Sequence, residues 1–134
     1  MTLIPIKRDI KNQEDIRFLV IEFYNKALRD EVIGPVFKAA NFSLEGHIPV
    51  MVTFWETILL DVVTYKGNPM LKHIALNKEV PLQGEHFDRW MKIWEETIRA
   101  NFEGPVADQA ISRASSIGQL MQYKIKQSTA PNGL

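Results

Sequence analysis

Apolar residues recur three and four positions apart along most of the chain, a spacing typical of helices that bury one face. The first helix is predicted to begin after Asn12, whose side chain suits an N-cap, and to end near Asp30. Residues 34–37 follow as a short connector, because a Gly-Pro pair turns the chain. The apolar positions of the helix are Ile16, Leu19, Val20, Phe23, Ala27 and Leu28, with Tyr24 beside them.

A second long helix is predicted from Ser43, another good N-cap, with Gly46 and Pro49 in its first two turns. One face of this helix is heavily apolar and begins with a histidine. That face carries His47, Val50, Met51, Phe54, Ile58, Leu59 and Val62, with Trp55 at its edge.

A short helix is predicted from Pro69 to about Leu76, since proline suits a first helical turn but breaks a helix that is already running. His73 lies on or beside its inward face. Residues 77–84 contain proline and glycine among polar residues and are predicted to form a loop. The residues expected to face inward are Met70, Leu71 and Ile74.

Two further helices complete the pattern, one from Glu85 to just before Gly104 and one from Val106 to about Ile125. Strand-like alternation and internal repeats are absent from the sequence. We therefore expect an all-α fold with residues 1–134 in a single domain, of which about residues 127–134 form a polar, disordered tail. The apolar sides of the two helices carry Phe87, Trp90, Met91, Trp94 and Ile98, and then Ala110, Ala114, Ile117, Met121 and Ile125.

The charge balance and the absence of cysteine exclude several kinds of binding partner and chemistry. Sixteen basic residues balance sixteen acidic residues, so the chain has no net field to attract nucleic acid or anionic lipid. Without cysteine, thiol catalysis and thiolate metal sites are excluded. The N-terminal residues lack an apolar stretch of signal-peptide length, so a cytoplasmic location is expected, with neither membrane nor nucleic acid as partner.

Four polar side chains from four different segments lie at or beside apolar faces, so one cavity could collect them: Tyr24, His47, His73 and Trp90. An apolar cavity with a few convergent polar groups is the usual form of a cofactor site. A single histidine such as His73 is a poor zinc site but suffices as an axial ligand of haem iron. The alternatives are an ordinary helix histidine for His73, a packing role for Tyr24 and a local hydrogen bond for His47.

Five segments, in this order, resemble the truncated haemoglobins of the third group. The similarity runs from about Asp15 to Tyr123, and the paired-glycine motifs of the first group are absent. The segments are Phe23-Tyr24, Ile33-Gly34-Pro35-Val36-Phe37, His47 with Phe54-Trp55, Gly67-Asn68-Pro69-Met70 leading to His73, and His86-Phe87-Asp88-Arg89-Trp90.

The resemblance implies a two-over-two helical sandwich around haem b. His73 resembles the proximal iron ligand, Tyr24 and His47 the distal tyrosine and histidine, and Trp90 the tryptophan that closes the distal pocket. The remaining positions that match haem-packing residues are Phe23, Met51, Phe54 and Trp55. The loop at 77–84 is longer than this family leads us to expect, and Pro49 lies inside the helix that carries His47.

The function implied is the binding of dioxygen, nitric oxide or carbon monoxide at a five-coordinate iron in a polar distal pocket. The enzymatic alternative is a nitric oxide dioxygenase or a peroxidase-like enzyme. Such an enzyme would need a separate reductase, because the chain has no flavin or nicotinamide motif. A third alternative, from a different class, is a helical interaction module without a cofactor, in which the aromatic residues are only core.

Overall fold

Within residues 7–41, 43–62, 65 and 67–128, which the computed structural model describes, the chain folds into six helices and no strand. The predicted all-α class is therefore confirmed. None of these helices is long and apolar enough to cross a membrane. The helices are α1 (Gln13–Ala27), α2 (Gly34–Ala39), α3 (Leu44–Leu60), α4 (Pro69–Glu79), α5 (Gly84–Asn101) and α6 (Pro105–Ser128).

The four long helices pack as two pairs. Helix α1 packs on α3 and α5 packs on α6, while α1 also contacts α5 and α3 also contacts α6. This arrangement is the two-over-two sandwich that the family resemblance implies. Helix α4 packs against α6. The short helix with His73 is thus attached to the second pair.

Local signals in the sequence set the starts of α1 and α3. The Asn12 side chain accepts a hydrogen bond from the Asp15 backbone N–H at 3.0 Å, and the Ser43 hydroxyl accepts one from Gly46 at 3.5 Å. Both side chains satisfy a backbone donor that the first helical turn leaves unpaired. Helix α3 continues through Pro49 without a break. Both predicted N-caps are confirmed.

Two predicted connections are wrong in part. Residues 34–37, predicted as a connector, begin α2, because Pro35 lies in the first turn, where its missing N–H costs nothing. Helix α4 continues to Glu79, so the predicted loop 77–84 shortens to residues 80–83. The Asn77 side chain stabilises this tighter turn, since its Oδ1 accepts the Leu82 N–H at 2.8 Å. Helix α6 includes the first two residues of the predicted tail, and the other six lie outside the described residues.

The segment before α1 holds the start of α6. Both carboxylate oxygens of Asp9 accept backbone hydrogen bonds there, from Val106 at 2.9 Å and from Ala107 at 2.8 Å. Gly104, with φ of +143°, allows the close approach, because a Cβ at that position would lie 2.6 Å from the Asp9 carboxylate. Ile10 beside it is almost completely buried. Asp9 therefore caps a helix that is nearly a hundred residues away in sequence.

We expect Asp9→Ala to lower the free energy of unfolding by about 1–2 kcal/mol, the usual effect of removing an N-cap. The substitution leaves the Val106 and Ala107 N–H groups without their acceptor. Urea denaturation would measure the change. Asp108→Ala is the matched control, because it removes an exposed carboxylate from the same helical turn. Equal losses in the two variants would show that charge near α6, and not the cap, is responsible.

Candidate functional site

Helix α3 is apolar on two sides, and only one of them is buried by the rest of the chain. The buried side contains Val52, Trp55, Glu56 and Leu59, with Trp55 only 3% exposed. Trp55, predicted at the edge of the face that carries His47, thus belongs to the buried side. Val62, predicted on the same face, lies beyond the end of α3 and is 42% exposed. The second side is only half buried and carries His47, Met51, Phe54 and Ile58. A large apolar stripe left partly open is typical of a binding surface.

Tyr24 connects three helices at one end of this half-buried side. It lies on α1, and its ring centroid is 5.8 Å from that of Phe37 on α2 and 5.4 Å from the imidazole of His47 on α3. Both contacts are edge-to-face, the arrangement that aromatic rings favour. Burial raises the pKa of the Tyr24 phenol above its ordinary value. The hydroxyl therefore keeps its proton at neutral pH.

His47 lies in the first turn of α3 and is half buried. Burial lowers the pKa of its imidazole to about 4, with a smaller electrostatic contribution from His73 and Lys72. His47 is therefore neutral at neutral pH, with one ring nitrogen as donor and the other as acceptor. His73 and Lys72 belong to α4, so the His47 imidazole interacts electrostatically with that helix.

His73 lies in the second turn of α4 and is half buried. Of its predicted inward neighbours, Ile74 is half buried, and the side chains of Met70 and Leu71 lie outside the described structure. In the described part of the chain, no group of three or more His, Asp or Glu side chains could hold a bare metal ion. A lone imidazole can still bind an iron atom that a porphyrin already holds.

Trp90 and Tyr24 both contact the ring of Phe23. The Trp90 indole meets Phe23 edge-on at 5.4 Å, and Phe23 meets Tyr24 edge-on at 5.0 Å. On α5, Trp90 also stacks on Trp94, which in turn stacks on Trp55. Ring contacts thus connect α1, α3 and α5 around one region of the sandwich.

An ion pair between Arg89 and Asp30 connects α5, next to Trp90, to the turn between α1 and α2. The Arg89 side chain donates to Asp30 at 2.7 Å, and Asp30 also accepts the Val32 and Ile33 N–H groups. Burial alone would raise the pKa of Asp30, but these hydrogen bonds outweigh it and hold the pKa below the ordinary value. The turn between α1 and α2 is therefore tied to α5 immediately beside Trp90.

Comparison with known proteins identifies the family. No protein-family model matches the chain. The group 3 truncated hemoglobin ctb of Campylobacter jejuni is 31% identical over 126 residues, which cover 89% of this chain and 97% of that protein. The crystal structure of group III truncated hemoglobin from Campylobacter jejuni matches with a TM-score of 0.79 and 28% identity, over 94% of this chain and 100% of that one. This chain belongs to the group III truncated haemoglobins. The family resemblance predicted from the sequence is confirmed.

Membership in a haemoglobin family implies haem binding, and the residues of this truncated haemoglobin fit that cofactor. A porphyrin is flat and largely apolar, which matches the half-buried side of α3. Its iron needs one neutral imidazole, and the half-buried His73 on α4, which interacts electrostatically with His47, is the candidate. The eight predicted site residues divide by burial. Phe23, Tyr24 and Trp55 are buried, and His47, Met51, Phe54, His73 and Trp90 are half buried.

Two residues of this region of the globin were missing from the predicted site. Phe37 packs against Tyr24, and Trp94 stacks on Trp90. Phe37 lies in one of the five segments that resemble the family, so the motif could have indicated it. Trp94 follows Trp90 by four residues on the same helix face, which is the spacing of side chains that touch.

Proposed function

We propose that this truncated haemoglobin holds haem b against the half-buried side of α3, with His73 as the protein ligand of the iron, and binds a diatomic gas. Dioxygen, nitric oxide and carbon monoxide are the candidate gases. The observation that carries the proposal is the placement of Tyr24, His47 and His73. The centroids of the Tyr24 and His47 rings are 5.4 Å apart, beside an apolar surface, and His73 on α4 interacts electrostatically with His47.

Haem iron bound by a single imidazole supplies an open coordination position for a small gas. The chain supplies the groups that hold and orient that gas. Tyr24 has a protonated hydroxyl because burial raises its pKa, and Trp90 has an indole N–H that can only donate. Neutral His47 can donate from one ring nitrogen. A donor to a partly charged ligand contributes about 1.5–3 kcal/mol in a dry pocket.

Hemin titration tests the proposal. The haem-free protein should take up one equivalent of hemin and develop a Soret band. Its melting temperature should then rise by about 10 °C at a free hemin concentration near a hundred times the dissociation constant, because a ligand that binds only the folded state stabilises it. No uptake, with equal melting temperatures in both samples, would instead favour a helical interaction module whose aromatic residues are only core.

A further inference from the structure

The three tryptophans of the chain form one continuous stack inside the sandwich. The rings of Trp90 and Trp94 are 5.7 Å apart with an interplanar angle of 13°. Those of Trp94 and Trp55 are 4.7 Å apart with an angle of 23°. Phe23 meets Trp90 and Trp94 edge-on, at 5.4 Å in both cases. Trp94 is therefore in contact with three aromatic rings, two nearly parallel to it and one nearly perpendicular.

Trp94 is also the member of the stack that is anchored to another helix. Its side chain is 1% exposed, and its indole N–H donates to the backbone carbonyl of Ala110 on α6 at 3.2 Å. Rotation of the ring would leave this N–H unpaired in the core, which is energetically costly. The plane of Trp94 is thus fixed by packing and by a buried hydrogen bond.

Trp90, by contrast, is half buried and faces the region of Tyr24 and His47 through Phe23. The second side-chain torsion of tryptophan has a broad preference, so its neighbours determine the ring orientation. The nearly parallel ring of Trp94 and the edge-on ring of Phe23 both restrict the plane of the Trp90 indole. The stack therefore limits the directions in which the Trp90 N–H can point.

We propose that Trp94 is a positioning residue, which fixes the Trp90 indole through their stack and so determines how long the pocket retains a polar gas. The proposal rests on the proposed function, which makes Trp90 a donor to that gas. Trp94 acts only through Trp90. A residue that merely fills the core would lower stability without changing the discrimination between dioxygen and carbon monoxide.

The test is a double-mutant cycle on the haem-loaded protein. Trp94→Phe keeps a ring in the stack but removes the N–H that is anchored to Ala110. We expect dioxygen to dissociate about three- to tenfold faster from this variant, the coupling typical of residues in contact, and carbon monoxide release to change much less. In a Trp90→Phe background, Trp94→Phe should add nothing. Ile98→Ala is the control, because it truncates another fully buried residue of α5 and should lower stability without changing gas release.

A second readout does not depend on gas kinetics. Nitrogen-15 NMR of the indole N–H groups, recorded on the carbon monoxide form, should show the Trp90 signal broadened or split in Trp94→Phe and unchanged in Ile98→Ala. The proposal would be overturned if Trp94→Phe changed dioxygen release equally with and without Trp90. An unchanged Trp90 NMR signal in Trp94→Phe would overturn it too. If Trp90→Phe itself leaves dioxygen release unchanged, the distal assignment in the proposed function fails as well. The Trp90 signal then shows whether the stack orients the indole at all.

Discussion

Replacing His73 with glycine is expected to leave a folded helical protein that retains haem poorly, and added imidazole should restore haem binding. The fold should survive because His73 is only half buried and α4 packs on α6. The loss of one charge-assisted hydrogen bond weakens the binding of a ligand by about tenfold or more. The loss of the bond between the iron and the His73 nitrogen should weaken haem binding by a larger factor. Hemin titration followed at the Soret band, with and without imidazole, would measure both effects.

His86→Ala is the matched control, because His86 occupies a different kind of site. Its Nδ1 accepts the Gln83 backbone N–H at 2.9 Å, and the pair closes a capping box at the start of α5. The variant should bind haem normally and lose about 0.5–1 kcal/mol of stability. Normal haem affinity in His73→Gly, or haem loss in His86→Ala alone, would mean that the wrong histidine has been assigned to the iron.

The parts of the fold that could be predicted are those that depend on neighbouring residues. Asn12 and Ser43 each accept a hydrogen bond from the backbone N–H three residues later in the sequence. A short window of sequence therefore contains the whole interaction. The cap on α6 could not be found in this way, because Asp9 belongs to a distant segment that only the tertiary fold brings to Val106.

The two apolar sides of α3 show a second limit of the sequence pattern. Spacing alone identifies an apolar helix, but it does not tell whether protein or cofactor covers a given side, since both are apolar. The pattern therefore favours the side with His47 and Phe54 and puts Trp55 at its edge. The structure buries the side with Val52, Trp55 and Leu59, where the Trp55 indole stacks on Trp94, and leaves the other side half open.

The candidate site was predictable chiefly through the family resemblance. The polar residues Tyr24 and His47 come from separate helices, and no spacing rule relates them. Their ring contact of 5.4 Å exists only because α1 packs on α3. The role of each residue toward haem remains a prediction that the variants test.

The second large effect is expected from Tyr24→Phe and from Trp90→Phe, which should each speed dioxygen dissociation by about tenfold or more. That factor corresponds to the loss of one hydrogen bond to a partly negative ligand. Carbon monoxide is much less polar when bound, so its release should change far less. Stopped-flow ligand replacement would measure both gases in the parent, the single variants and the double variant. The double substitution should be less than additive if one donor partly replaces the other.

Tyr123→Phe is the control for the hydroxyl, because Tyr123 is 57% exposed on α6 and its hydroxyl accepts a hydrogen bond from Gln127. It should leave the release of both gases unchanged. The buried Tyr24 phenol keeps its proton, so the effect of Tyr24→Phe should be present throughout the neutral pH range. Unchanged dioxygen release from Tyr24→Phe would make Tyr24 a packing residue. Slower dioxygen release from Tyr24→Phe would instead show that Tyr24 keeps a better donor away from the gas. That donor would be Trp90 or His47, whose ring centroid is 5.4 Å from that of Tyr24.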